Sequence, residues 1–268
     1  TQAIKQHGTN ATDAIDKEMI QFVTKKAFKP VNINTICSSS PSTNKTQNQV
    51  IGSKMFIKVK HLPDGSFDKI KARLVARGDL QDKSIYNDDM SATTVQRCTV
   101  MTIISIAAYE KRHVISLDIG GAYLNADMPK HGPQVFMKIK SELADILGKY
   151  HPEFTQHRNN KGDIAVQLTK AVYGCIESAK LWQNHIMTFL KDELQMQTNP
   201  HDDCILNKID KVTGEQITIA IHVDDLLITC KSKPMINSIV HTIKSRYQDT
   251  KINEGTKIPY LGMDIDFS

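Results

Sequence analysis

Asp224 and Asp225 stand side by side between two apolar runs, residues 217–223 and 226–228. Adjacent carboxylates repel each other and resist leaving water, so a chain that carries them between core-bound segments needs a compensating charge. A divalent metal ion supplies one and reverses the local electrostatic logic. Along the first run Ile217, Ile219, Ile221 and Val223 alternate with Thr218, Ala220, His222 and Asp224. That is the period of a half-buried strand, with His222 and Asp224 on the same face. A second short strand, 226–230, follows at once, which places the acid pair at a hairpin tip able to hold metal ions. Asp88-Asp89 and Asp202-Asp203 are also acid pairs, but their polar, turn-like surroundings mark them as solvated loop carboxylates or helix caps.

A third acid is needed, and Asp118 is the candidate: it ends the apolar strand 113–118 and precedes Gly120-Gly121. Taken alone, an Asp there would simply cap a turn; its value comes from partnership with the hairpin. Three carboxylates clamping two divalent ions ~3.5–4 Å apart suit in-line phosphoryl or nucleotidyl transfer. Mg2+ fits such ligands because it keeps waters and shares its coordination with substrate phosphates. A phosphate-binding element should accompany the acids. Lys69, Lys71, Arg73 and Arg77 share strand parity with Val75, so four cations line one face. The same charges would equally serve to blunt a solvated sheet edge.

Positioning these residues falls to a mixed set of elements. Helical periodicity marks 13–27, 93–111, 141–150, 178–194 and 233–247, the last capped by Ser232 with Pro234 in its first turn. The second of these is apolar nearly all round, the mark of a core helix. Strands are expected at 55–60 and 67–75, joined through Leu62-Pro63-Asp64-Gly65, and at 113–118, 164–168 and 259–267. Residues 151–162 read as a loop, and 38–49 as a stretch too polar to pack. Without a βαβ rhythm and with a central hairpin, the fold class is α+β with an antiparallel sheet.

A chain of 268 residues can bury a large core in one domain or two. The formal net charge of +5 permits a polyanionic partner without requiring one. No apolar run approaches the ~20 residues of a membrane span, and no signal peptide opens the chain. Cys37, Cys98, Cys175, Cys204 and Cys230 are scattered and include no Cys-x-x-Cys. That argues against a disulfide framework and a structural zinc site, and points to a reducing compartment.

These residues resemble the reverse transcriptase of copia-type long-terminal-repeat retrotransposons, from about residue 14 to residue 267. Lys-Ala-Arg-Leu-Val-Ala-Arg-Gly (71–78) is similar to the family's fingers motif and Leu-Asp-Ile-Gly-Gly-Ala-Tyr-Leu-Asn (117–125) to its first catalytic motif. Val-Tyr-Gly-Cys-Ile-Glu-Ser-Ala-Lys-Leu-Trp (172–182) resembles its template and nucleotide-site motif. His-Val-Asp-Asp (222–225) looks like the catalytic hairpin, and Tyr-Leu-Gly-Met-Asp-Ile (260–265) like the segment leading to the primer grip. Five motifs in the right order make the likeness specific.

The resemblance implies Asp118, Asp224 and Asp225 as catalytic acids holding two Mg2+ ions, with Mn2+ as substitute. It implies Lys71, Arg73, Arg77, Tyr123, Gly174 and Ser178 at the nucleotide, Tyr123 lying under the sugar to exclude a 2′-hydroxyl. The partners implied are an RNA or DNA template with primer, deoxynucleoside triphosphates and the rest of a Pol polyprotein, with no membrane. The location implied is intracellular: cytoplasm, virus-like particle or nucleus. The architecture implied is fingers and palm without a thumb: an N-terminal helix and lead-in at 1–36, a polar linker at 37–50, fingers and core helix at 51–112, and palm at 113–268. Two departures stand out. His222 replaces the usual hairpin Tyr, so its protonation bears on metal binding, and Cys175-Ile176-Glu177-Ser178 replaces Leu-Lys-Gln-Ser, putting an acid beside a nucleic-acid path. The missing thumb and His222 motivate the alternative, a non-catalytic nucleic-acid-binding relic; a palm-type cyclase or other non-templated nucleotidyl transferase is a more remote one.

Overall fold

The computed structural model describes residues 2–32, 49–62, 64–86, 89–131 and 134–268. The chain folds as two units whose segments interleave: Thr1–Met90 with Tyr123–Leu181, and Ser91–Ala122 with Trp182–Ser268. The chain passes between the units three times, after Met90, Ala122 and Leu181. Strands from before and after residue 112 join one sheet. Of the polar linker expected at 37–50, residues 37–48 lie outside the described residues.

In the first unit, strands β1 (Phe28–Val31), β2 (Gln49–His61), β3 (Phe67–Ala76), β5 (Val135–Ile139) and β6 (Ile164–Leu168) form a sheet in the order β1-β6-β5-β2-β3. Only β2 and β5 run parallel. Helix α1 (Gln2–Thr24), kinked at Gly8, sets Ile15, Met19 and Phe22 into a core with Leu74, Met137, Ile139, Val166 and Leu147, the last from helix α3 (Ser141–Tyr150). On β3 the alternation holds: Ala72, Leu74 and Ala76 are buried, while Lys69, Lys71, Arg73 and Val75 take the other face.

The second unit carries β4 (His113–Ile119), β7 (Gln197–Asn199), β8 (Asp202–Ile209), β9 (Gln216–His222), β10 (Asp225–Cys230) and β11 (Thr250–Glu254). They form a sheet in the order β11-β4-β10-β9-β8-β7, antiparallel throughout. Its helices are α2 (Arg97–Tyr109), α4 (Ser178–Asp192), whose first turn belongs to the other unit, and α5 (Lys233–Arg246). Ser232 caps α5, accepting from the Met235 amide, as expected.

Four expectations are corrected here. First, β9 is not half-buried: Thr218 and Ala220 are buried along with Ile217, Ile219 and Ile221, because β9 is a central strand covered on both faces. Second, α2 is not buried all round. It packs with Val100, Ile103 and Ala107 and leaves Met101 49% and Ile106 40% exposed. Third, the C-terminal strand is a hairpin, β12 (Lys257–Tyr260) with β13 (Met263–Asp266), turned by Leu261 and Gly262 at positive φ. Fourth, Asp202 is buried at the start of β8, its carboxylate accepting from the amides of Cys204 and Gln96. Of the other acid pair, Asp88 lies outside the described residues and Asp89 is exposed. Among the described residues no helix is long and apolar enough to cross a membrane.

Candidate active site

The hairpin tip is a two-residue turn: β9 ends at His222, β10 begins at Asp225, and the two pair across it. Val223 has φ 57, a conformation unfavourable for a β-branched residue. The strained peptide is held by the buried indole of Trp182, which donates to the Val223 carbonyl at 2.7 Å. The next carbonyl, of Asp224, accepts from the Ile119 amide at 2.9 Å and ties the tip to the end of β4. Trp182→Phe removes the indole donor while keeping most of the ring volume. It is expected to lower stability by about 1–3 kcal/mol and to speed amide exchange in this turn, read by urea unfolding and hydrogen exchange.

The turn also breaks the strand alternation. His222 is the cross-strand neighbour of Asp225 and does not share strand parity with Asp224, because the two-residue loop restarts the period. One row of directly opposed residues crosses four strands: Lys251 on β11, Asp118 on β4, Asp225 on β10 and His222 on β9. Opposed residues share a face with Cβ atoms about 4.5–5.5 Å apart. Asp118, more than a hundred residues upstream, is thus brought against Asp225, with Asp224 next to it in the turn.

Burial, then the charges of Asp224 and Asp118, push the Asp225 carboxyl up to about 6. The donor set is all carboxylate oxygen, hard and anionic, as Mg2+ or Mn2+ prefers. Among the described residues no three His, Cys, Asp or Glu side chains are grouped so that they could hold a metal ion. What Asp118 and Asp225 share is a row of the sheet and the donor chemistry that a hard divalent ion takes. Among the described residues, two further polar atoms here are buried without a hydrogen-bond partner, His222 Nδ1 and the Tyr260 hydroxyl. Burial, followed by the Asp225 charge, pushes the Tyr260 hydroxyl pKa upward.

A carboxyl raised in the fold binds protons that the unfolded chain has released. Asp225 therefore favours the folded state most at low pH and loses that contribution as pH rises through about 6. Without metal, Asp225→Asn is expected to raise the melting temperature at pH 7.5 and to change it little at pH 4.5. Added Mg2+ is expected to stabilise the wild type at pH 7.5 more than at pH 5. Thermal melts of both proteins check this.

The first unit places the other expected residues. Arg73 is half-buried and stacks on Tyr173, 4.6 Å from the ring centroid, and Tyr173 packs on Tyr123 at 4.5 Å between centroids. Lys71 opposes Lys58 and Lys69 opposes Lys60, so with exposed Lys54 the cationic face spans both strands. The β2 lysines were legible in their every-second spacing but were not singled out.

Local contacts surround the remaining residues. Arg77 is paired with Asp79, which accepts from its Nε and Nη2 at 2.6–3.0 Å. Ser178 is buried, its hydroxyl donating to the Val172 carbonyl and accepting from the Val172 amide; it closes a turn. Gly174, at φ 93, does permit close backbone approach, but from the chain's own β3: an added Cβ would meet the Ala76 carbonyl oxygen at 2.2 Å. Glu177 is likewise buried, accepting from Gln81 Nε2 and the Tyr86 hydroxyl, each at 3.1 Å.

The site is thus an Asp–Asp hairpin registered against a third Asp within an antiparallel sheet. The family model described as "Reverse transcriptase (RNA-dependent DNA polymerase)" matches residues 40–267, and the chain belongs to that family. Among curated proteins it is 30% identical over 202 residues to the Transposon Ty1-NL2 Gag-Pol polyprotein of Saccharomyces cerevisiae, a match covering 74% of this chain and 10% of that protein. The Transposon Ty1-DR5 Gag-Pol polyprotein of the same yeast matches equally, which places the chain among copia-type elements. The chain spans about a tenth of these relatives. Among solved structures, a foamy viral protease–reverse transcriptase in complex with double-stranded DNA covers 97% of this chain and 34% of its own. At 12% identity and a TM-score of 0.47, that likeness is too distant to bear on the site.

Proposed function

We propose that the chain is the fingers-and-palm part of an RNA-directed DNA polymerase within a copia-type Pol polyprotein, acting inside the cell. The observation that supports it most is the register of Asp118 against Asp225 beside Asp224. These three carboxylates would hold a pair of Mg2+ ions, which Mn2+ can replace. Bound there, the metal supplies charge stabilisation to the primer 3′-hydroxyl and the triphosphate. Arg73, held by its ring contact, and Lys71 grip the triphosphate, while Tyr123 limits the space at the sugar's 2′ position. The β2–β3 cations attract the template backbone. What the protein contributes is alignment of the hydroxyl with the α-phosphate and a fixed electrostatic frame.

Extension of a DNA primer on an RNA template, with deoxynucleoside triphosphates and Mg2+, tests this reading. Product complementary to the template supports it. RNA binding with no incorporation under Mg2+ or Mn2+ would identify a non-catalytic relic, and incorporation indifferent to template a non-templated transferase.

A further inference from the structure

We propose that Tyr173, a residue with no assigned role, is a positioning residue that sets sugar selectivity, its ring being in contact with both the Arg73 guanidinium and the Tyr123 ring. The inference rests on the reading of Tyr123 as the residue under the incoming sugar. All three side chains are half-buried, so the stack is neither locked in a core nor loose in water. Arg77 is bound to Asp79, whereas Arg73 has Glu18 as an electrostatic partner and the Tyr173 ring beneath its guanidinium. The Tyr173 face is a contact that orients the Arg73 guanidinium.

The backbone beneath the ring is fixed from both sides. The Tyr173 carbonyl accepts from the Ala76 amide at 2.8 Å, three residues beyond Arg73. Gly174 and Gly78 lie in backbone contact so close that a Cβ on Gly78 would sit 1.8 Å from the Gly174 oxygen. Gln81 Oε1 accepts from the Ile176 amide at 2.9 Å, and the buried Glu177 carboxylate holds Gln81 and Tyr86. The end of β3 and the 172–178 turn thus move as one piece. Tyr173 stands on that piece as a backstop, so a 2′-hydroxyl pressing on Tyr123 meets a supported ring. Without the backstop the Tyr123 ring can yield to a ribonucleotide, and Arg73 loses its orienting face.

The test compares single-nucleotide incorporation of dATP and ATP by the full-length protein containing this chain. Tyr173→Ala is expected to raise KM for dATP roughly tenfold, with a smaller change in kcat. It is also expected to lower the dATP/ATP ratio of kcat/KM roughly tenfold. Tyr173→Phe should retain both, because the ring does the work and the hydroxyl does not. A purely structural role would slow dATP and ATP equally and leave their ratio unmoved. If the Ala variant melts early, Tyr173→Leu fills the volume without a π face and should still lose discrimination. A ratio within about twofold of wild type in the Ala or Leu variant, while Tyr123→Ala relaxes selection, overturns the proposal and leaves the nucleotide-site reading standing. Loss in the Phe variant equal to that in Ala also overturns it. An unchanged ratio in Tyr123→Ala defeats the underlying reading instead.

Discussion

Asp118→Asn is expected to reduce nucleotide incorporation by roughly a thousandfold or more while leaving the second unit folded. Asn has nearly the same shape as Asp and keeps the β4–β10 pairing, since the ladder bonds are backbone groups. What is lost is one anionic ligand and one charge facing Asp225. Removing that like charge should also bring the Asp225 carboxyl down from about 6, because Asp118 is among the groups that raise it. Two measurements separate a catalytic role from a structural one: the incorporation rate and the melting temperature at pH 7.5. Near-total loss of rate with unchanged or higher stability is the expected pair. Incorporation within about tenfold of wild type would remove Asp118 from the site.

Gly174→Ala is expected to be among the most destabilising single substitutions in the first unit, by about 3–5 kcal/mol, from adverse backbone conformation and steric overlap together. At φ 93 a side chain is strained whatever the space around it. Here there is no space: the new Cβ would meet the Ala76 oxygen at 2.2 Å and Val75 Cγ1 at 2.6 Å. Relief would require the end of β3 to separate from the 172–178 turn, breaking the bond from the Ala76 amide to the Tyr173 carbonyl. Urea unfolding checks the magnitude. A loss below about 1 kcal/mol would mean that this backbone contact is not maintained in solution.

How far such features could be read from residues alone varied with how local their cause is. Helix Ser141–Tyr150 and strand Ile164–Leu168 are found at the expected bounds, because each carries an uninterrupted apolar period. Strands β1, β5, β7, β8 and β11 were not anticipated. β1, β5, β7 and β11 span only three to five residues, and β8 opens on the Asp202-Asp203 pair read as a turn. Partners distant in sequence stabilise some of them, as in the parallel pairing of β5 with β2. The acid pair was legible because carboxylates between apolar runs are conspicuous. Asp118 could be guessed only by asking what would complete it, and Lys251, on a polar five-residue strand, gave no signal. Arg77 and Ser178 show that a charge or hydroxyl near a proposed ligand also serves local structure: Asp79 and the Val172 backbone contact them here. Tyr173 lay inside a recognised motif, but its value as a bridge depends on two residues brought to it by the fold.

Everything proposed for catalysis requires carboxylates from separate strands to act on the same ions. Mn2+ binding at pH 7.5, followed by electron paramagnetic resonance, tests that directly on the wild type, Asp118→Asn and Asp225→Asn. The expected result is binding by the wild type, weakened at least tenfold by either substitution, a loss of about 1.4 kcal/mol or more. Binding that Asp225→Asn weakens and Asp118→Asn leaves untouched would contradict the shared site, and with it the polymerase chemistry assigned to this sheet.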